Sequence, residues 1–212
     1  MKLNQLADSK SEMEISGVTQ DSRWIKPGYL FGSLTEDRFI ADAIAKGAAA
    51  VVVPENYQET IPAGVAVIRT PNPRKTFAEI AARYYGQQPP HICGITGTNG
   101  KTSIADFIRQ ILTMMGEKAA SMGTLGLIKG NDAPLAYPNT TLISEQLHHD
   151  LARLEEEGYQ YVAMEASSHG LEQYRMGGVH FEVAGFTNLT RDHLDYCLLY
   201  TSDAADEARS VD

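Results

Sequence analysis

The sequence predicts an α/β fold in two parts: a small N-terminal α/β unit over residues 1–88, then a unit with a mainly parallel sheet over residues 89–196. Three observations predict it. Continuous apolar runs such as Ala48–Val53, closed by Pro54, read as strands buried on both faces, the habit of parallel sheets. From residue 91 onward such runs alternate with helical periodicities, the order that crossover connections impose. Between the two parts lies Gln87-Gln88-Pro89-Pro90, a polar, proline-containing link.

The elements follow in order. Pro27-Gly28 is a turn pair leading into a short strand, Tyr29-Leu30-Phe31. Phe39–Lys46 is periodic as a helix, with Phe39, Ile40, Ala43 and Ile44 on one face and Gly47 at its C-terminal cap. Strands are expected at Ala48–Val53 and Val65–Ile68, then a helix at Arg74–Tyr85 stopped by Gly86. Past the link, His91–Ile95 is a strand. Thr102–Met115 is an amphipathic helix whose Ile104, Phe107, Ile108, Ile111, Leu112 and Met115 form one apolar stripe, expected to face a core. Leu142–Glu157 is a second, with Leu147, Leu151 and Leu154 inward and Gly158 as its stop. Tyr159–Met164 and Phe181–Phe186 read as strands. No internal repeat or low-complexity tract interrupts the pattern.

Composition narrows the function classes. The 212 residues are 43% hydrophobic and 21% charged, an ordinary globular balance. No run approaches the ~20 apolar residues that span a bilayer, and Met1–Gln5 lacks the apolar core of a secretory signal. A cytoplasmic location without a membrane partner is therefore expected. The net charge of −9, with no run of lysine or arginine, argues against nucleic acid as a partner. Cys93 and Cys197 are too far apart for metal-ligand or redox spacing, and Cys93, in an apolar strand, reads as a buried free thiol. Oligomeric state leaves no mark on the sequence.

An acidic chain that binds an anion must gather its cations and N–H groups locally. Gly94-Ile95-Thr96-Gly97-Thr98-Asn99-Gly100-Lys101-Thr102 does so between a strand and a helix. Its glycines permit a tight turn with converging N–H groups, and the helix adds its positive end. Lys101 supplies a mobile charge for the β- and γ-phosphates of a nucleotide, and the Thr102 hydroxyl is a ligand for Mg²⁺. The usual P-loop spacing would put a glycine at Ile95; here the glycines fall at 94, 97 and 100. Glu165, ending the strand Tyr161–Met164, faces the ligand crevice of a parallel sheet, where with Thr102 it can share a metal. His169 is either a base or, the reading preferred here, a structural hydrogen-bonding group of the turn.

The loop's glycine spacing, with Thr98 and Asn99 inside it, resembles the ATP loop of the Mur ligases and their folylpolyglutamate synthetase relatives. Met164-Glu165-Ala166-Ser167-Ser168-His169-Gly170-Leu171-Glu172-Gln173-Tyr174-Arg175 is similar to the branch that adds the third amino acid to UDP-N-acetylmuramoyl-dipeptide. The resemblance implies an incomplete P-loop-type central domain after a uridine-binding N-terminal domain. It implies ATP binding at Gly97, Thr98, Asn99, Gly100, Lys101 and Thr102, with catalytic roles for Lys101, Glu165 and His193. It implies metal ligation by Thr102, Glu165 and His193. It implies contacts to the UDP-linked substrate from Ser22, Asn139, Thr140, Thr141, Ser167, Gln173 and Arg175, and places Asn188 near the junction of nucleotide and substrate. The expected reaction joins an amino acid, meso-diaminopimelate before L-lysine, to UDP-N-acetylmuramoyl-L-alanyl-D-glutamate through an acyl phosphate. The alternatives are another ligase of the superfamily, of folylpolyglutamate or cyanophycin type, and a binding fragment without catalysis.

Two departures stand out. Where the family often has a longer, Gly-containing loop before the Phe-Ile helix, this chain has only Ser33–Arg38. The resemblance runs from about residue 15 to Tyr196 and stops. The family's carboxylated lysine would fall at Glu207, and no lysine follows Lys129. Residues 197–212 are accordingly expected to be a non-native tail, and a polypeptide lacking the family's C-terminal domain is expected to be inactive.

Overall fold

The computed structural model describes residues 1–34 and 38–190. A short helix α1 (Leu3–Leu6) and strand β1 (Gly17–Thr19) open the chain, followed by a 3-10 turn at Ser22–Trp24. Then come β2 (Tyr29–Gly32), α2 (Arg38–Ala45), β3 (Ala50–Pro54), β4 (Ala66–Thr70) and α3 (Pro73–Tyr85). The four strands pair in chain order, all parallel. Their apolar character follows from covering on both faces. Leu30, Val52 and Ile68 pack with Phe77 and Ile80 of α3, while Phe31, Val51 and Val53 pack with Ile40 and Ala43 of α2. Helix α3 begins at the Asn72 side chain, which accepts the Lys75 N–H, and ends at Gly86 in the left-handed region.

The second sheet is built from β5 (His91–Thr96), β6 (Ala119–Gly123), β7 (Gly126–Lys129), β8 (Tyr161–Glu165) and β9 (Val183–Phe186). Helices α4 (Lys101–Met114), α5 (Ser144–Glu156) and α6 (Ser168–Glu172) connect them. The strand order is β7-β6-β8-β5-β9, parallel except for β7, which forms a hairpin with β6. On one face, Leu147, Leu151 and Leu154 of α5 are buried against Ile92, Met122, Val162 and Met164, each worth about 1.5–3 kcal/mol of burial. The α/β class and mainly parallel sheets are as the sequence predicts.

Three expectations need correcting. Strands β6 and β7 fall where no strand was expected, because Ala119-Ala120-Ser121-Met122-Gly123 lacks the β-branched residues that announce a strand. The α4 stripe does not face a core: Phe107 is 59% and Ile111 57% exposed, and Ile104 and Met115 are exposed too. The helix instead sits on the sheet through Ala105, Ile108 and the buried Arg109, which pairs with Asp106 and reaches the Gly130 carbonyl. Cys93 is a free thiol, as expected, but only half-buried, and that burial raises its pKa.

The two sheets meet along α3 and α5. The Thr19 hydroxyl and the Gln20 N–H both donate to Glu145 Oε1, at 3.3 and 3.0 Å. The Tyr85 ring meets His149 edge-on at 5.5 Å.

Candidate active site

The site lies where β5 and β8 end side by side, with Ile95 paired to Glu165 in register. After β5 the chain must reverse into α4 within a few residues. Gly97 (φ 125°) and Gly100 (φ 88°) allow it by adopting the left-handed region. A Cβ on Gly97 would stand 2.2 Å from the Thr187 hydroxyl, so the loop can lie against the segment after β9 only because residue 97 is glycine. That segment grips the loop. Thr98 N–H donates to the Asn188 carbonyl (2.9 Å) and Asn99 N–H to Asn188 Oδ1 (3.1 Å), while Asn188 Nδ2 and the Thr187 hydroxyl donate to the Asn99 carbonyl.

The part of the loop with N–H groups free to meet an anion is thus narrower than the sequence suggests. With the Thr98 and Asn99 amides engaged, the N–H groups of Gly100, Lys101 and Thr102 remain at the opening of α4, where no preceding helical carbonyl claims them. The Lys101 ammonium lies over the same turn, donating to the Gly97 and Thr98 carbonyls at 2.6 and 2.9 Å.

Glu165 is 3% exposed, yet both oxygens are satisfied. The Thr102 hydroxyl donates to Oε2 at 2.9 Å, the Thr124 N–H to Oε1 at 2.7 Å, and the Thr124 hydroxyl lies 3.2 Å from Oε2. One carboxylate beside one hydroxyl at the mouth of a phosphate-type loop is the donor set of a magnesium ion that takes its remaining ligands from water and phosphate. Among the described residues no three His, Cys, Asp or Glu side chains converge as an all-protein metal cage would need. The residues present fit magnesium held in this shared way.

Beside Glu165 the expected substrate-facing residues come together. The buried Thr141 hydroxyl donates to the Glu165 carbonyl (3.1 Å), takes the Ser167 N–H (3.0 Å) and lies 3.0 Å from the Ser167 hydroxyl. Ser167 caps α6, accepting the Gly170 N–H. Arg175 donates to the Thr141 carbonyl at 2.7 Å and twice to Gln173 Oε1, at 3.1 and 2.8 Å. Those acceptors are neutral, so the guanidinium keeps its charge for an anion; burial and the nearby Arg74 charge lower its pKa from the ordinary value. Thr140 joins the cluster through Thr124, 3.1 Å between hydroxyls, and Asn139 is exposed beside it. His169 lies within α6 and its carbonyl accepts the Gln173 N–H.

Two expected residues stand apart. Ser22 is buried in the first unit, its carbonyl taking the Lys46 ammonium at 3.0 Å. His193 lies outside the described residues, as does the tail expected from residue 197. Sequence reasoning missed Thr124 and Gly123. The only local signal was the glycine-bracketed Gly123-Thr124-Leu125-Gly126, the tight turn between β6 and β7.

A sequence profile of the Mur ligase middle domain matches residues 95–202, taking in the loop, Glu165 and the Thr141–Arg175 cluster. The chain belongs to the Mur ligase family. Among relatives of this Mur ligase chain, the UDP-N-acetylmuramoyl-L-alanyl-D-glutamate–2,6-diaminopimelate ligase of Caulobacter vibrioides is 46% identical over 192 residues, covering 86% of this chain and 39% of the relative. The enzyme of the same name from Agrobacterium fabrum is 44% identical, covering 87% and 38%. A solved structure of a ligase of that name superposes with a TM-score of 0.82 at 31% identity, over 97% of this chain and 44% of the other. The Acinetobacter baumannii ligase that attaches D-alanyl-D-alanine shares the fold, at a TM-score of 0.55 and 22% identity, over 92% of this chain and 43% of its own. The Mur ligase chain thus spans about two fifths of the length of the curated relatives it matches.

Proposed function

We propose that this chain carries the precursor- and ATP-binding parts of a ligase that joins meso-diaminopimelate to UDP-N-acetylmuramoyl-L-alanyl-D-glutamate, in the cytoplasm, during peptidoglycan synthesis. Residues 1–88 hold the uridine end of the precursor, with Ser22 in contact, and residues 89–196 hold ATP and the peptide end. One observation carries the reading: the 2.9 Å contact of Thr102 with Glu165 at the strand ends, directly beside the glycine-rich loop. The names of the relatives support diaminopimelate as the amino acid.

The chemistry follows from the carboxylate substrate. A free carboxylate is a poor acyl donor because its leaving group would be oxide. Attack of the precursor's carboxylate on the γ-phosphorus, with ADP leaving, gives an acyl phosphate; the amine of the incoming amino acid then displaces phosphate and forms the amide. Negative charge gathers among the γ-phosphate, the attacking carboxylate and ADP. Lys101 and the N–H groups of Gly100–Thr102 offset it from the loop, and Arg175 offsets it from the precursor side. Thr102 and Glu165 would hold magnesium, which would supply further neutralisation when bound. The cluster of buried Thr141 with the half-buried Ser167 and Gln173 aligns the peptide end for in-line attack.

Replacing Lys101 by alanine in the ligase that carries this sequence should cost about 3 kcal/mol of transition-state stabilisation, near a hundredfold in turnover. Precursor binding, measured by calorimetry, should be unchanged. Near-full turnover in that variant would remove the assigned role and the loop reading with it.

A further inference from the structure

Thr124 has no part in the mechanism above, yet it sits at its hinge point. It occupies the tight turn between β6 and β7, and that turn is pressed onto Glu165: a Cβ at Gly123 would lie 2.1 Å from Glu165 Oε1. The Thr124 N–H holds one carboxylate oxygen at 2.7 Å and its hydroxyl lies 3.2 Å from the other. The Thr124 hydroxyl donates to Glu165, so its proton points to that carboxylate. The lone pairs of its oxygen then face Thr140, whose hydroxyl lies 3.1 Å away. The result is a directed chain from Thr140 through Thr124 to Glu165, with Thr102 donating to the same carboxylate at 2.9 Å.

We propose that Thr124 is a positioning residue of the metal–nucleotide site, setting the Glu165 carboxylate toward the phosphate loop and tying it to the polar triplet Asn139-Thr140-Thr141. A carboxylate with two oxygens held from the β6–β7 turn cannot rotate freely, so its lone pairs stay aimed at the space beside Thr102. This rests on the reading that the loop binds ATP with magnesium, and the test separates the two.

The test measures binding of a non-hydrolysable ATP analogue by calorimetry across a Mg²⁺ titration, and Mn²⁺ alone by electron paramagnetic resonance. Thr124→Val keeps the N–H and the branched shape but removes the O–H; Thr124→Ser restores it. Losing a hydrogen bond to a charged group should raise the Mg²⁺ concentration for half-saturation about tenfold in Thr124→Val, weaken Mn²⁺ binding to match, and leave metal-free nucleotide affinity unchanged. Thr124→Ser should stay within about twofold of the unaltered chain, a rescue that a merely structural role does not require. Thr140→Val, which breaks the chain one hydroxyl earlier, should shift half-saturation the same way by a smaller factor; it decides the matter if Thr124→Val fails to fold. Unchanged metal dependence in the valine variants, or equal loss of metal-free affinity, overturns the proposal while leaving the loop reading intact. An unaltered chain that binds no nucleotide at any Mg²⁺ concentration overturns the loop reading, and the proposal falls with it.

Discussion

Glu165 shows how much one buried charge demands of its neighbours. A carboxylate 3% exposed is tolerable only when donors replace the lost water, and here Thr102 and Thr124 do so. The same crowding makes Gly123 irreplaceable. In Gly123→Ala the new methyl would meet Glu165 Oε1 at 2.1 Å, and moving either group disturbs the Thr124 contact or the pairing of Gly123 with Gly126 of β7. Overpacking of this kind costs about 1–3 kcal/mol, so the urea denaturation midpoint should fall. An unshifted midpoint would show that the carboxylate is not held where the structure puts it. Glu165 was legible in the sequence because an acid after an apolar strand is conspicuous; Gly123 and Thr124 were not, because their importance lies in what approaches them.

Among the elements, α5 carries two buried titratable groups, one of them at its junction with the residues after β1. Glu145, in the first turn of α5, accepts from Thr19 and Gln20 through Oε1, while Oε2 is buried with no hydrogen-bond partner among the described residues. Burial raises its pKa above the ordinary 4.5, so folding favours the protonated form. Its stabilising contribution is complete below pH 4.5 and is lost as pH rises through the raised value. On the same helix, burial lowers the pKa of His148, whose Nε2 lies 2.9 Å from the Gly177 carbonyl. That contribution is present above pH 6.5 and is lost as pH falls through the lowered value. Glu145→Gln removes only the first effect. Its stability relative to the unaltered chain should therefore rise, by about 1 kcal/mol, as pH increases from 4.5. Denaturant titrations at several pH values check this; a difference that stays flat would mean that Glu145 is ionised without cost. The helix itself was readable from its leucine spacing. Its partner across the junction was not, because periodicity marks a buried face without naming what covers it.

At the scale of the whole molecule the same limit appears on α4. Its apolar period is strong, yet Phe107 and Ile111 stay exposed, and Val183 and Phe186 on the edge strand β9 are exposed as well. An apolar helix face and a strand edge that is unpaired among the described residues both favour self-association. A polypeptide of these 212 residues should sediment with a concentration-dependent rate, and Phe107→Glu with Ile111→Lys should reduce that dependence without lowering the denaturation midpoint. A concentration-independent rate in the unaltered chain would refute this.

By itself the sequence determined the α/β class, the order of the principal helices and strands, the glycine-rich turn between a strand and a helix, and the acid at the end of a strand. Each is written in local periods or in contiguous motifs, where backbone geometry dictates the residue types. Only the tertiary structure decided that Asn188 takes up the Thr98 and Asn99 amides, that Thr124 donates to Glu165, that Glu145 joins the two sheets, and that the α4 stripe faces outward. Those contacts link residues tens of positions apart, and a chain's local pattern records that a side chain needs a partner without recording which one it meets.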